Sequence, residues 1–445
     1  MIRRKIDKVL LDWKRREDHK PLIVSGARQI GKTTSIREFG KNYDSFIEIN
    51  FVLEPKFKSI FDDGYTVNDV IKLISLLDPK CRFIPNNTLI LFDEIQEYPD
   101  AVTSLKSFAS DGRFDVICSG SLLGVNYNKI KSIPVGSKEE YEMHSLDFEE
   151  YLWARGYKES QIDDIYSYMK ELKPLPDSYF STLQKLYKEY IFVGGMPEVV
   201  KKFIDTNSYG EAFEIQKRIC RDYEDDITKY VEGLDNARVK NFYRHIPSQL
   251  SKDNHKYQIS KIGHGARFRE YTGIEDWLKD AGIINVAYNI SELNIPFDVY
   301  EISDNYRVYY QDHSLFIANL DEESKEDLIV NSNYEIYNGS LYESLVSEAL
   351  AKSGYKIYYY KSKDSTVELD FVIRIKNEII PIEVKKERGR SASLNTVIEN
   401  SSNSIKYGVK LTNGNIGFSN NKFTFPYFLS FLLRRFFKET NYIEW

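Results

Sequence analysis

Short apolar runs that alternate with amphipathic segments predict a parallel α/β fold at the start of the chain. The runs at 22–25, 46–51, 88–93 and 114–119 are predicted to be strands, with helical segments between them. Parallel strands that are covered on both faces have nearly continuous apolar sequences, because helices pack on each side of the sheet. We therefore expect residues 1–155 to form a mainly parallel, helix-covered sheet.

The rest of the chain has a different pattern. Apolar residues at helical spacing predict helices over 156–235, with a break at Gly194–Pro197. Within 236–334, helical segments precede extended aromatic runs, a pattern that favours a winged-helix-like module followed by an acidic linker. The segment 335–445 returns to mixed helices and strands, so the chain is predicted to contain four parts.

A glycine-rich segment connects the first predicted strand to the helix that follows it. Its residues fit the pattern G-x-x-x-x-G-K-[ST] at every defined position, and this strand–loop–helix context is typical of a phosphate-binding loop. Glycines let the backbone N–H groups point at phosphate oxygens, and the N-terminal end of the helix favours the same anion. The predicted nucleotide-binding residues are Gly26, Ala27, Arg28, Gln29, Ile30, Gly31, Lys32, Thr33 and Thr34.

Two adjacent acids end the apolar strand at 88–93. Asp93 is expected to hold Mg²⁺ together with the Thr33 hydroxyl, and Glu94 is expected to polarise the attacking water. Packing explains such acids poorly, because an unpaired buried charge is costly. Ser119 ends the next strand, where it is either part of a simple turn or a hydroxyl that senses the γ-phosphate. Arg113 precedes that strand and is either a solvated turn residue or an arginine finger that reaches a neighbouring subunit.

Several segments together resemble a known family. GARQIGKTT, LILFDEIQ and SGSLLG, with the later HSLDFEEYLWARG and YIFVGGMPEVV, resemble bacterial and archaeal AAA-type P-loop ATPases that carry a fused C-terminal domain of unassigned function. The resemblance implies ATP and Mg²⁺ as cofactors, a helical lid over the nucleotide at 156–235, and assembly into a homo-oligomer. Ser137 departs from the aromatic or basic residue expected after Gly136.

A second group of charged residues lies near the C-terminus. Glu343 falls on a predicted helix, Asp370 on a strand, and Glu383 and Lys385 alternate along the following strand. This order resembles the PD-(D/E)xK, restriction-endonuclease-like α/β core. Glu343, Asp370 and Glu383 are expected to bind Mg²⁺, with Asp370, Glu383 and Lys385 as catalytic residues. The same acids are also compatible with a domain that binds no substrate and cuts nothing.

Basic residues suggest nucleic acid as a partner of this part. The segment 335–445 contains more lysine and arginine than aspartate and glutamate, and Lys385, Lys386, Arg388 and Arg390 follow the acids directly. Lys261, Arg267 and Arg269 offer a second basic stretch in the middle module, beside acidic residues. DNA is favoured over RNA. His264 and His313 have no metal-ligand spacing and are predicted to be ordinary polar residues.

Composition and charge limit the classes of protein to which this chain can belong. The net charge of −6 argues against attraction of nucleic acid to the whole surface, though not to a local patch. The three cysteines form no C-x-x-C pair, no apolar run reaches the roughly 20 residues of a membrane span, and no signal peptide is recognised. We therefore expect a cytoplasmic protein without a membrane partner.

Two functions follow from the sequence. The first is a Mg²⁺-dependent ATPase coupled to a nucleic-acid-associated, nuclease-like domain. The alternative is an ATP-dependent regulatory or defence switch whose C-terminal domain is an inactive docking or dimerisation module.

Overall fold

The computed structural model describes residues 1–121, 136–231, 233–250, 256–263, 265–330, 339–385, 391–400 and 405–443. They divide into two compact units: unit 1 is Met1–Ser145 with Asp280–Gly282, and unit 2 is Leu146–Lys279 with Ile283–Trp445. The division into four parts at 155, 235 and 334 stays a prediction. Predictions for Leu122, Leu123, Gly124, Pro134, Val135, His264, Lys386, Arg388 and Arg390 lie outside the described residues.

Unit 1 contains a five-stranded sheet in the order β2-β3-β4-β1-β5, with every pair parallel. The strands are β1 (Leu22–Ser25), β2 (Ser45–Asn50), β3 (Thr88–Asp93), β4 (Asp115–Ser119) and β5 (Glu139–Glu142). The four predicted strands are confirmed. The fifth was not predicted, because the edge strand β5 has the polar sequence EEYE, which lacks an apolar run.

The helices of unit 1 are α1 (Lys5–Arg15), α2 (Lys32–Gly40), α3 (Val67–Leu77) and α4 (Ala101–Asp111). Each turns an apolar stripe inward; α1, for example, buries Ile6, Leu10 and Trp13, which recur at helical spacing. The strand β3 is buried along its whole length. It therefore carries its final acid from the core to the end of the sheet.

The first elements of unit 2 along the chain are helices. They are α5 (Phe148–Ala154), α6 (Glu159–Lys170), α7 (Asp177–Val193), α8 (Pro197–Thr206), α9 (Tyr209–Tyr230), α10 (Asn236–Leu250) and α11 (Ile274–Asp280). The predicted break is confirmed, since α7 ends at Val193 and α8 begins at Pro197. None of the helices in the described ranges is long and apolar enough to cross a membrane.

Unit 2 also contains an eight-stranded mixed sheet in the order β12-β13-β11-β10-β9-β8-β6-β7. The strands are β6 (Ile284–Ile290), β7 (Glu301–Tyr310), β8 (Tyr358–Lys361), β9 (Glu368–Ile375), β10 (Glu378–Val384), β11 (Gly408–Thr412), β12 (Gly417–Ser419) and β13 (Lys422–Pro426). The remaining helices are α12 (Phe297–Tyr300), α13 (Ser314–Ala318), α14 (Glu322–Val330), α15 (Ser340–Lys352), α16 (Ala392–Glu399) and α17 (Leu433–Glu439).

The pairing in this sheet corrects one expectation. The extended aromatic runs predicted after the helices, FDVYEI and YRVYYQDHSLF, are not the two strands of one hairpin, because Phe297–Tyr300 is the helix α12 and Glu301–Tyr310 is the single strand β7. The strand β7 instead pairs antiparallel with β6, and β6 also pairs in parallel with β8. The β6–β7 hairpin therefore belongs to the same sheet as the C-terminal strands. Local sequence patterns do not predict this pairing, because β6 and β8 are far apart in the chain.

Candidate functional site

The loop between β1 and α2 requires glycine at two positions. Gly26 has φ of 134°, and a Cβ there would lie 2.1 Å from the carbonyl oxygen of Met143. Gly31 has φ of 92° and caps the N-terminus of α2. Both φ values lie in a region that other residues rarely adopt. The loop therefore curls tightly just before the first helical N–H groups.

The Lys32 side chain is folded back onto this loop. Its Nζ donates hydrogen bonds to the carbonyl oxygens of Gly26, at 2.9 Å, and Ala27, at 2.7 Å. Burial lowers the pKa of Lys32 to about 8, although the nearby Glu94 and Asp93 oppose the change. The ammonium is thus held in the loop with its charge incompletely compensated, and an anion bound there would stabilise it.

Asp93 lies at the C-terminal end of β3, beside the start of α2. The Thr33 hydroxyl lies 3.1 Å and 3.3 Å from its two carboxylate oxygens, and Asn50 Nδ2 donates to Oδ2 over 3.0 Å. Burial and then the neighbouring Glu94 raise the pKa of Asp93, while the hydroxyls of Ser119 and Thr33 oppose this rise. The structure brings together four polar side chains that the ends of β2, β3, β4 and the start of α2 supply.

Glu94 follows Asp93 directly and has an unusual backbone conformation. Its φ of 54° and ψ of 45° are left-handed, a conformation that costs a non-glycine residue about 1–3 kcal/mol and is often found at functional sites. The Gln96 amide donates a hydrogen bond to the Glu94 carboxylate. Gln96 is buried, and its Oε1 has no hydrogen-bond partner in the described part of the chain. The sequence did not single out Gln96.

The other predicted residues of the loop differ in their surroundings. Ala27 and Ile30 are buried and pack the loop against the core, whereas Gln29 and Thr34 are exposed. Arg28 Nε donates to Ser121 Oγ over 3.3 Å. All nine residues therefore belong to one loop and helix start, but only some of their side chains point into it.

Asp370 and Glu383 lie across the β9–β10 hairpin. The register pairs Phe371 with Ile382, so that Asp370 and Glu383 face each other at the next position. The backbone N–H of Val384 donates to Asp370 Oδ2 over 2.8 Å, and Lys385 Nζ lies 3.9 Å from the same oxygen. Glu383 Oε1 accepts from the backbone N–H of Leu394 over 3.2 Å.

Glu343 has cationic and hydroxyl neighbours of its own. Its Oε2 lies 3.5 Å from Arg307 and 3.3 Å from the Tyr309 hydroxyl. Burial and then Glu343 raise the pKa of Asp370 to about 7, with Lys385 and Arg307 opposing the rise. In the part of the chain that the structure describes, however, the carboxylate oxygens of Glu343, Asp370 and Glu383 do not all lie within 4.8 Å of one another.

Comparison with known protein families assigns three segments of the chain. Residues 18–152 match the model of an AAA domain. They form an AAA-type P-loop ATPase domain. Residues 184–326 match a domain of unknown function, DUF8612, and residues 338–428 match another, DUF4143. Neither of these two descriptions assigns an activity.

Comparison with solved structures also gave matches. A Walker-type ATPase of Pyrococcus abyssi is 14% identical, covers 72% of this chain and 96% of its own, and has a TM-score of 0.44. The ORC2 protein of Aeropyrum pernix, in its ADP form, is 12% identical over 77% of this chain and 95% of its own, with a TM-score of 0.30. A search among curated proteins gave no match.

Two arginines of unit 1 have clear structural partners. Arg4 is buried and donates to the carbonyl oxygens of Ile30, at 2.7 Å, and His144, at 2.6 Å, so it braces the phosphate-binding loop from the N-terminal helix. No sequence pattern distinguishes Arg4 from the other basic residues near the N-terminus. Arg113 is bonded to Asp111 and, over 2.8 Å, to Asn68.

A buried cluster beyond the ATPase domain has the spacing of a metal site. Ligand atoms of Asp312, His313 and Glu348 all lie within 4.8 Å of one another. Nevertheless, Lys352 is paired with Glu348, and the two ring nitrogens of His313 face acceptors, Glu348 Oε2 at 2.7 Å and the Tyr190 carbonyl at 2.9 Å. The imidazole has no lone pair free for a metal, so the cluster is an ion-pair network.

Proposed function

We propose that the ATPase domain binds and hydrolyses ATP with Mg²⁺. The observation that supports this most strongly is the contact of Thr33 with Asp93, 3.1 Å apart, beside the buried ammonium of Lys32. A hydroxyl and a buried carboxylate are ligands that Mg²⁺ accepts, and the metal usually keeps several waters. The raised pKa of Asp93 fits a carboxylate that a cation would stabilise.

Each side chain then has a separate task. Lys32 leaves the loop carbonyls and turns toward the phosphates, while the N–H groups at the start of α2 hold phosphate oxygens. Thr33 and Asp93 would hold Mg²⁺, which neutralises charge that develops on the phosphates. Glu94 orients the attacking water, and Ser119 contacts the γ-phosphate from the neighbouring strand.

Two variants test this assignment. Lys32→Ala is expected to abolish ATP binding, measured by calorimetry. Glu94→Gln is expected to keep ATP binding while lowering the hydrolysis rate, because positioned acid–base catalysis contributes about 10²–10⁴-fold. Wild-type turnover by the Glu94→Gln protein would remove Glu94 from this role.

For unit 2 we propose a metal-dependent nuclease-like function with a nucleic-acid substrate. The order α15-β8-β9-β10-α16-β11, with β8, β9 and β10 antiparallel and β11 parallel to β10, supports a PD-(D/E)xK-like core. The pairing of Asp370 with Glu383 supports it at the level of residues. Coupling of ATP hydrolysis to this site, a homo-oligomeric state and a cytoplasmic location remain part of the proposal.

The residues present fit a metal in part. Glu383 is buried, and its Oε2 lacks a hydrogen-bond partner among the described residues, so this oxygen can accept a cation. Asp370 and Glu343 would complete the ligand set. A bound Mg²⁺ would supply charge for the phosphodiester, and Lys385 would orient the water or the phosphate.

One observation favours the second candidate, a docking or dimerisation module without cleavage. Arg307, on β7, is paired with both Glu343 and Glu368, and it stacks over the Tyr359 ring at 4.3 Å. This buried guanidinium neutralises Glu343, one of the three acids that a metal would need. If Arg307 keeps this contact, Glu343 is not available as a metal ligand.

A nuclease panel separates the two candidates. Purified protein is incubated with single- and double-stranded DNA and RNA, with Mg²⁺ or Mn²⁺, and with or without ATP. Cleavage that is lost in Glu383→Ala and Asp370→Ala supports the nuclease. If the wild-type protein cuts none of these substrates, the docking module is the better account.

A further inference from the structure

Three lysines lie on one face of the sheet in unit 2, in line across neighbouring strands. Lys410 on β11 is paired in register with Glu383 on β10. Lys422 on β13 is in register with Gly408, two positions before Lys410. Because side chains alternate along a strand, Lys385, Lys410 and Lys422 are on the same face as Glu383.

These lysines repel one another. Burial lowers the pKa of Lys410, and Lys422 and Lys385 lower it further, while Glu383 opposes them. Like charges on adjacent strands destabilise a sheet, and β11 is an interior strand, so Lys410 does not serve to protect an exposed edge. Lys422 Nζ donates to Asn395 Oδ1 over 2.7 Å, which fixes its position without neutralising it.

The N-terminal end of α16 also lies next to Glu383. The N–H of Leu394, in its first turn, donates to Glu383 Oε1 over 3.2 Å, and the other oxygen of this buried carboxylate has no partner in the described ranges. The N-terminal end of a helix favours anions. The lysines and the N-terminal end of α16 together form a positive surface around Glu383, one of whose carboxylate oxygens accepts no hydrogen bond from the described residues.

We propose that Lys410 and Lys422, together with Lys385, bind the phosphate groups of a nucleic-acid strand and place one phosphodiester beside Glu383. This inference rests on the proposed nuclease-like function and adds the residues that hold its substrate. The lysines are half-buried, and they lie on β11 and β13 and at the end of β10, three neighbouring strands of the sheet. A row of cations across neighbouring strands suits the successive phosphates of a nucleic-acid strand.

The test measures oligonucleotide binding by fluorescence anisotropy, with EDTA present to prevent cleavage. The variant is Lys410→Gln/Lys422→Gln, and the control is Lys201→Gln/Lys438→Gln, which removes the same charge from exposed positions on α8 and α17. Losing two phosphate contacts should make the slope of log K against log[salt] shallower by about 1.4 for a single strand or about 1.8 for a duplex. The control should keep the wild-type slope.

Several outcomes would overturn the inference: an equal loss in the control, a wild-type slope in the variant, no binding by the wild-type protein, or equally effective competition by inorganic phosphate. Lys410→Arg/Lys422→Arg should retain binding, and Lys422→Gln alone should lose about half of the slope change if the double variant does not fold. Binding without any cleavage would reject the nuclease function but keep this inference. Cleavage that the variant leaves unchanged would reject only the inference.

Discussion

Thr33 Oγ1 lies 3.1 Å from Asp93 Oδ1, although 60 positions separate the two residues in the sequence. We expect Thr33→Ala to weaken MgATP binding by about 10- to 100-fold, because an interaction with a charged group is worth about 1.5–3 kcal/mol. Isothermal calorimetry with and without Mg²⁺ checks this: the loss should vanish in EDTA. Thr33→Ser keeps the hydroxyl and should bind MgATP as the wild type does. An equal loss in both conditions would place the role of Thr33 elsewhere.

The arrangement of the glycine-rich loop and the two acids was predictable because each part is local in sequence. The loop from Gly26 to Gly31 and the acids at the end of β3 are contiguous segments, and parallel strands bring their carboxyl ends to one edge. Gln96 was missed because its role depends on the left-handed turn at Glu94. The residue types in this segment do not predict such a turn. Arg4 was missed because its acceptors are backbone carbonyls, which sequence does not distinguish.

The second unit was less predictable because its contacts are distant in sequence. Arg307 belongs to β7, whose place in the sheet depends on the pairing of β6 with β8. His313 was expected to be an ordinary polar residue, yet it is fully buried between Glu348 and Tyr190. The alternation of Glu383 and Lys385 was predictable, whereas the register that sets Lys410 beside them was not.

Gln96 is expected to position Glu94 for hydrolysis. Gln96→Ala removes the amide that donates to the Glu94 carboxylate, which leaves this side chain free to rotate. The kcat for ATP hydrolysis should fall by about 10-fold, a fraction of the about 10²–10⁴-fold that a positioned acid–base group contributes.

The dissociation constant for ATP should stay the same in this variant, because Gln96 does not belong to the phosphate-binding loop. Steady-state kinetics and calorimetry on the same preparation separate the two quantities. A kcat equal to that of the wild type would mean that the hydrogen bond is only structural.

Gly195 is required by close packing within unit 2. A Cβ at this position would lie 2.0 Å from the carbonyl oxygen of Leu146, and the Gly195 N–H donates to Asp312 Oδ2 over 2.9 Å. Overpacking costs about 1–3 kcal/mol or more, so Gly195→Ala should lower the apparent melting temperature by about 5 °C. Differential scanning fluorimetry gives the value. Gly417→Ala is the control, because a Cβ there meets nothing within 4 Å; equal shifts in both would contradict the packing argument.

The ion pair of His313 and Glu348 should make the stability of the protein depend on pH. Burial opposes the charge on His313, but Glu348, Asp312 and the Tyr190 carbonyl outweigh it and raise the pKa above 6.5. A raised pKa in the folded state means that the stabilisation is complete below pH 6.5 and is lost as the pH rises through the folded-state pKa.

The apparent melting temperature should therefore decrease as the pH rises above 6.5. In His313→Phe this decrease should disappear. The variant should also be less stable at pH 6, by about 3–5 kcal/mol, because Glu348 then keeps only Lys352 as its cation. Melting curves of both proteins between pH 5.5 and 9 test this. His245, which is half-buried on α10, provides the control as His245→Phe and should keep the wild-type dependence. A decrease that persists unchanged in His313→Phe would mean that another group titrates.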